Sequence, residues 1–220
     1  MNRYKNLSVN TFLVFIGNLG GKLISFLMLP FYTSWLSVSD YGIVDMVTLY
    51  SSIILSISSC CLTESIFVFS KNENNENRKK YFTSGVIFVT SVFIILMLIV
   101  YLIEGFYSDS RVNNVFISYT FEIYFLVVVN FYQQFFLQFA RSIGKIKIYA
   151  VSGVLLTALI AVFSFIFIPD HGIFGFIYAQ ICSTVFTSIY TMISSRSYAY
   201  FKISSVSFER CTEMLRYSIL

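Results

Sequence analysis

Proline is nearly absent from this 220-residue chain, histidine occurs once, and charged residues make up only 12% of it. An ordinary soluble domain carries about 25% charged residues, so too few are present here to form a polar skin around a core. With Gly at 10 and Pro at 2, collagen-like and low-complexity disordered chains are excluded. The single His171 lies in the sequence Pro169-Asp170-His171-Gly172, which removes any His-rich metal or acid–base site. Cys60 and Cys61 are adjacent, Cys182 and Cys211 stand apart, and none has metal-ligand or disulfide-framework spacing. Net charge is only +4 and the basic residues form no single patch, so no nucleic acid is expected as a partner. No cofactor, metal site or enzyme activity is expected. What the chain has in abundance is apolar: 57% hydrophobic residues, with 25 Phe and 16 Tyr.

These residues fall in runs long enough to span a membrane. A helix needs about 20 apolar residues to cross a hydrocarbon core of about 30 Å. Six runs qualify: Thr11–Leu36, Tyr41–Phe69, Tyr81–Ile103, Val115–Phe139, Ile148–Ile168 and Gly172–Ser194. Ser37-Val38-Ser39-Asp40 separates the first two, Pro169-Asp170-His171-Gly172 the last two, and the longest polar break is Lys71–Lys80. The runs lack the strict alternation of a barrel wall. The sequence therefore predicts an all-α integral membrane protein of six transmembrane helices.

Basic residues set the orientation. With the N-terminus inside, thirteen of them (Arg3, Lys5, Lys71, Arg78, Lys79, Lys80, Arg141, Lys145, Lys147, Arg196, Lys202, Arg210 and Arg216) lie on the cytoplasmic side. Only Arg111 falls in an outer loop, and Lys22 falls within a run. Both termini are expected in the cytoplasm. The first run is too long for a signal-peptide core, contains Lys22 and lacks a small-residue cleavage pattern.

Several runs carry a polar face. Asp45, Thr48, Ser52, Ser56, Ser59 and Thr63 recur at steps of three and four in the second run. Gln180, Thr184, Thr187, Thr191 and Ser194 do the same in the sixth, and Asn18, Lys22 and Ser25 share a face in the first. The fourth run carries Glu122, Asn130, Gln133, Gln134 and Gln138, ending at Arg141. The third is almost purely apolar after Ser91 and reads as lipid-facing. Ser and Thr stripes suit back-bonding and helix packing as well as a hydrated surface. The amide row suits hydroxyl-rich ligands, a hydrated path or interhelical hydrogen bonds. Lys22 lies about 15 Å along its run, near the bilayer centre, where a lysine costs roughly 3 kcal/mol. That cost asks for a carboxylate partner, a hydrated cavity or an anionic ligand. Glu64 and Glu122 lie nearer the ends of their runs. Gly17-Asn18-Leu19-Gly20-Gly21-Lys22 fails as a phosphate loop, because Ile16 and Leu23 occupy positions that need Gly and Ser or Thr.

The stretch Asn18–Tyr32, which contains Lys22 and Pro30, followed by Ser39-Asp40-Tyr41-Gly42, resembles the start of bacterial polysaccharide transporters. These are the Wzx-type O-antigen flippases of the multidrug/oligosaccharidyl-lipid/polysaccharide exporter superfamily. The turn Arg141-Ser142-Ile143-Gly144-Lys145 is similar to a basic, glycine-containing turn of the same family. The resemblance implies export of an undecaprenyl-diphosphate-linked oligosaccharide across the bacterial inner membrane by ion-coupled alternating access. It implies substrate contacts at Lys22, Asn18, Asn130, Gln133, Gln134 and Gln138, and ion coupling at Glu64, Glu122 or Asp45. Membrane lipid and the lipid-linked substrate are the implied partners. A multidrug-type exporter of small solutes is the alternative, disfavoured by a lysine that repels cations.

Transporters of this kind have two six-span lobes and need about twice this chain. Residues 1–195 are therefore expected to form one six-span bundle. Residues 196–220 form a cytoplasmic segment leading toward a second lobe, whose place a second copy in a homodimer is the alternative way to fill. A non-transporting anchor is disfavoured by the polar faces.

Overall fold

The computed structural model describes residues 15, 22–107 and 115–217, and among these the regular structure is all helix, with no strand. The described part of α1 is residues 22–35. A capping box then starts α2 (Val38–Ser58): Ser37 Oγ accepts from the Asp40 N–H at 3.2 Å, and Asp40 Oδ2 accepts from the Ser37 N–H at 3.3 Å. Each satisfies a backbone donor that a helix start leaves open, which is why the chain turns at this polar punctuation.

The second run is not one continuous helix. It breaks between α2 and α3 (Leu62–Ser70), where Cys60 (φ 44°) and Cys61 (φ 52°) are both left-handed. Ser58 Oγ donates to the Ile54 carbonyl and the Leu62 N–H to the Ser59 carbonyl, which partly satisfies the backbone through the break. Arg78 then closes the end of α3, donating to the carbonyls of Ser70 (3.0 Å) and Lys71 (3.2 Å). A cation there satisfies open carbonyls and complements the helix dipole.

α4 (Asn75–Tyr107) presents Ile94, Ile95, Leu98, Ile99 and Leu102 outward, in keeping with a lipid-facing reading of the third run. The fourth run divides at Tyr119 into α5 (Val115–Ser118) and α6 (Thr120–Ser142). α6 is the centre of the bundle. Phe131, Phe135 and Phe139, one turn apart, are fully buried. Phe82 and Phe93 of α4 meet them, with ring centroids 4.5 Å apart for Phe82–Phe139 and 5.4 Å for Phe93–Phe131. In lipid, such contacts act by close packing rather than by removing apolar surface from water.

α7 (Ile146–Ser195) is helical through Pro169, Asp170 and His171 and turns at Gly172, where φ is 54° and ψ −123°. Fifty residues at 1.5 Å each would reach about 75 Å, more than twice the bilayer core. The chain instead folds back on itself. Lys145 Nζ donates to the Ser195 carbonyl at 2.7 Å, the hydroxyls of Ser152 and Thr191 are 2.8 Å apart, and the rings of Phe163 and Phe186 are 5.8 Å apart. These pairings define two antiparallel arms, 146–171 and 173–195. A second cluster, Met28, Tyr32, Leu36, Val44, Ile168 and Phe176, fastens α1 to α2 and to this hairpin.

Four helices among the described residues are long and apolar enough to cross a membrane: Val38–Ser58, Asn75–Leu102, Thr120–Ser142 and Ile146–Ser195. The loops after α3, α6 and α7 meet at one end of the bundle. There Lys71 and Arg141 both lie over the Phe67 ring, and Arg141 also over Tyr149. The chain beyond α7 straps across the same end of α4. Thr83 Oγ1 donates to the Tyr200 carbonyl and accepts from the Lys202 N–H, and the Ser207 N–H donates to Ser84 Oγ. α8 (Phe208–Tyr217) is held by Glu213, which accepts from Tyr81 at 2.7 Å and pairs with Arg210 at 2.9 Å. The Arg210 guanidinium, followed by the Tyr81 hydroxyl, holds the Glu213 carboxyl below its usual range.

Candidate functional site

Packing α2, α6 and the second arm of α7 side by side brings three polar faces together. Between them lies a cavity of about 200 Å³ lined by Thr48, Ser51, Ser52, Leu55, Leu126, Asn130, Gln134 and Gln180. Its hydroxyl hydrogens are already committed. Thr48 Oγ1 donates to the Asp45 carbonyl (2.9 Å), Ser51 Oγ to Val47 (2.7 Å) and Ser52 Oγ to Leu49 (2.8 Å). Asn130 Nδ2 donates to the Leu126 carbonyl at 2.8 Å. This back-bonding suits Ser and Thr within a helix, and it leaves their oxygens and Asn130 Oδ1 with lone pairs to offer. No hydrogen bond among the described residues engages the amides of Gln134 or Gln180. No ionisable side chain lines the cavity. It is a neutral site offering both acceptors and the free amide donors of Gln134 and Gln180, which suits a ligand that both donates and accepts hydrogen bonds.

The cavity takes in only part of the set predicted from sequence. Asn130 and Gln134 line it, whereas Gln133 is buried outside it. Gln138 continues the row one turn on, with Oε1 buried and without a partner among the described residues. Lys22 begins the described part of α1, is exposed, and forms no ion pair among the described residues. Asn18 lies outside the described residues. The acids do not gather. Asp45 is exposed one turn from Thr48, Glu64 is exposed beyond the α2–α3 break with Thr63 donating to it, and Glu122 is half-buried in the first turn of α6. No cluster of metal-ligating side chains occurs among the described residues. Gln180 and Ser51 were not singled out as site residues by sequence reasoning. Gln180 belongs to a periodic polar stripe of the sixth run, and that stripe was the available signal.

A family profile described as polysaccharide biosynthesis protein matches residues 7–220. The chain belongs to that family. Its long apolar helices make it a multi-pass membrane protein. Solved structures share the fold. A MATE in complex with MaL6 superposes with a TM-score of 0.71 at 16% identity, over 96% of this chain and 51% of that one. A proline-to-alanine mutant of MATE gives 0.68 at the same identity and coverage. So does a transporter of the MOP superfamily from Pyrococcus furiosus, described as having a binding pocket of reversed polarity. The family chain here spans about half the length of these structures. No curated protein matches it.

Proposed function

We propose that this chain is one six-crossing lobe of a transporter that moves an undecaprenyl-diphosphate-linked oligosaccharide across the bacterial inner membrane, with both termini in the cytoplasm. The carrying observation is the neutral, amide- and hydroxyl-lined cavity joining α2, α6 and α7, set within a polysaccharide biosynthesis family fold. Sugar hydroxyls both donate and accept, and this cavity offers hydroxyl and amide oxygens together with free amide N–H groups. At about 200 Å³ it is smaller than a typical ligand pocket of about 300–1,000 Å³. It therefore takes one part of a sugar, while the rest of the repeat unit occupies the cleft between two lobes. The six crossings are α1, α2 with α3, α4, α5 with α6, and the two arms of α7. Exposure of Lys22, Asp45, Ser52, Ser56 and Glu64 supports a second lobe or a second copy facing α1 and α2, because lipid is a costly neighbour for such groups. In this reading Lys22 meets the diphosphate in the cleft, and Asp45, Glu64 or Glu122 carries the coupling ion. Residues 196–220 lead toward the second lobe. The likeness to MATE favours a second reading, an ion-coupled exporter of small solutes on the same scaffold.

Two experiments bear on this reading. With the native cysteines removed, a membrane-impermeant thiol reagent applied outside should label a cysteine replacing Asp109 and miss one replacing Asn75; the reverse pattern would overturn the orientation. In a two-lobe transporter carrying this lobe, Lys22→Ala should abolish polysaccharide export with membrane abundance near normal. Normal export by that variant would remove Lys22 from the substrate path.

A further inference from the structure

A second cavity shares no lining residue with the polar one and lies where α8 and the strap after α7 cross α4. It has a volume of about 370 Å³, and its walls include Ile87, Val92 and Ile95 of α4 and Val206, Phe208 and Leu215 of the strap and α8. We propose that it is a binding groove for an anionic phospholipid, with one acyl chain along α4 and the headgroup held by Lys80 and Lys202. The proposal rests on the chain lying in a membrane with this end cytoplasmic, and not on what it transports.

Shape selects the occupant. From Ser84 to Ile95 the α4 wall runs about 16 Å, close to one leaflet of a core about 30 Å thick. The groove is a strip of about 370 Å³ along that length, walled on one side by α4 and on the other by the strap and α8. An extended hydrocarbon chain of about one leaflet's length matches such a strip. The groove is continuous with open lipid-facing surface, since Ile94, Leu98 and Ile99 are exposed just beyond it. Its second wall is fixed, because Thr83 and Ser84 hold the strap through Tyr200, Lys202 and Ser207. Ile203 and Phe208, 73% and 86% exposed, stand beside the groove at the basic end of the bundle. That placement suits a segment seated in the interface between headgroups and acyl chains.

Charge selects the headgroup. Lys80 precedes Ser84 by one turn on the groove face of α4. Lys202 is tied to the mouth by its own N–H on Thr83 Oγ1. Neither lysine forms an ion pair among the described residues, whereas Arg210 is committed to Glu213. Glu209 falls off the groove face of α8 by its spacing from Phe208, Thr212 and Leu215.

The sequence has a single tryptophan, Trp35, which makes a fluorescence test clean. In nanodiscs of brominated phosphatidylglycerol or phosphatidylcholine, Phe88→Trp in a Trp35→Phe background reports the groove. Leu98→Trp in the same background reports the open face. At Phe88→Trp the anionic lipid should be preferred by at least about threefold, at Leu98→Trp by about onefold, and Lys80→Gln with Lys202→Gln should remove the preference. Equal quenching by both lipids at Phe88→Trp, or none by either, would overturn the proposal. Native mass spectrometry of the chain with Trp35 and Phe88 retained provides a check independent of those substitutions. Retained phosphatidylglycerol should fall by one molecule in the double-lysine variant, and an unchanged count would also overturn it.

Discussion

Gly175→Ala should be the most damaging single-methyl change in this bundle. A Cβ at that position would stand 2.2 Å from the Phe167 carbonyl oxygen, 2.6 Å from the Phe167 carbonyl carbon and 2.9 Å from Ile168 Cα. All three are backbone atoms of the facing arm, so no side chain can swing aside. The two arms of α7 must separate, which breaks the register that pairs Ser152 with Thr191 and Lys145 with Ser195. Overpacking in a well-packed core costs about 1–3 kcal/mol and occasionally more, and a contact against backbone belongs at the upper end. Gly153→Ala is the control, because nothing lies within 4 Å of its Cβ position. There the change should be neutral or stabilising by about 0.5–1 kcal/mol, as helix interiors prefer Ala. Thermal unfolding of both variants in detergent, with size-exclusion profiles, reads the difference. Equal melting temperatures would refute the close hairpin.

The second large effect should come from the polar cavity. Gln134→Leu with Gln180→Leu keeps side-chain size and removes both uncommitted amides. Each hydrogen bond lost to a neutral partner costs about 0.5–1.5 kcal/mol, so the pair should lower export by about 10- to 100-fold in a two-lobe transporter carrying this lobe. Abundance should hold, since neither amide bonds to another described residue. Gln133→Leu should leave export within about twofold, because Gln133 is buried outside the cavity. Surface polysaccharide measured by immunoblot in a strain lacking its own flippase separates these outcomes. Loss of export by Gln133→Leu alone would move the site to another face of α6.

Much of this arrangement was legible in the sequence, for identifiable reasons. The apolar runs mark the helices because backbone groups in lipid must bond within their own segment. Ser37 and Asp40 announce a helix start through capping chemistry that needs no tertiary context. The basic residues foretell which loops meet at one end, as Lys71, Arg141 and Lys145 do. The break at Cys60 and Cys61 was not legible, because neither residue carries the glycine or proline signal of a left-handed turn. The break expected at Pro169–Gly172 does contain the reversal, but the helix runs past Pro169 and the turn falls on Gly172. Within the amide row, spacing alone admitted both Gln133 and Gln134 to one broad face. Neighbouring residues differ by about 100° on a helix, and only the packing of α2 and α7 against α6 determines which of them reaches the cavity. Gln180 shows the converse. Its stripe was visible, but its partners Thr48, Ser52 and Asn130 come from other helices.

The substrate class is the central claim, and reconstitution tests it most directly. A two-lobe transporter carrying this lobe would be placed in proteoliposomes with undecaprenyl-diphosphate-linked oligosaccharide in one leaflet. Flipping would be followed by access of a membrane-impermeant lectin or glycosidase, beside uptake of a small cationic solute. The account predicts rapid flipping of the lipid-linked oligosaccharide, a loss of about 10- to 100-fold with Gln134→Leu and Gln180→Leu, and no uptake of the cation. Uptake of the small solute without flipping of the oligosaccharide would contradict it and leave a solute exporter on the same fold.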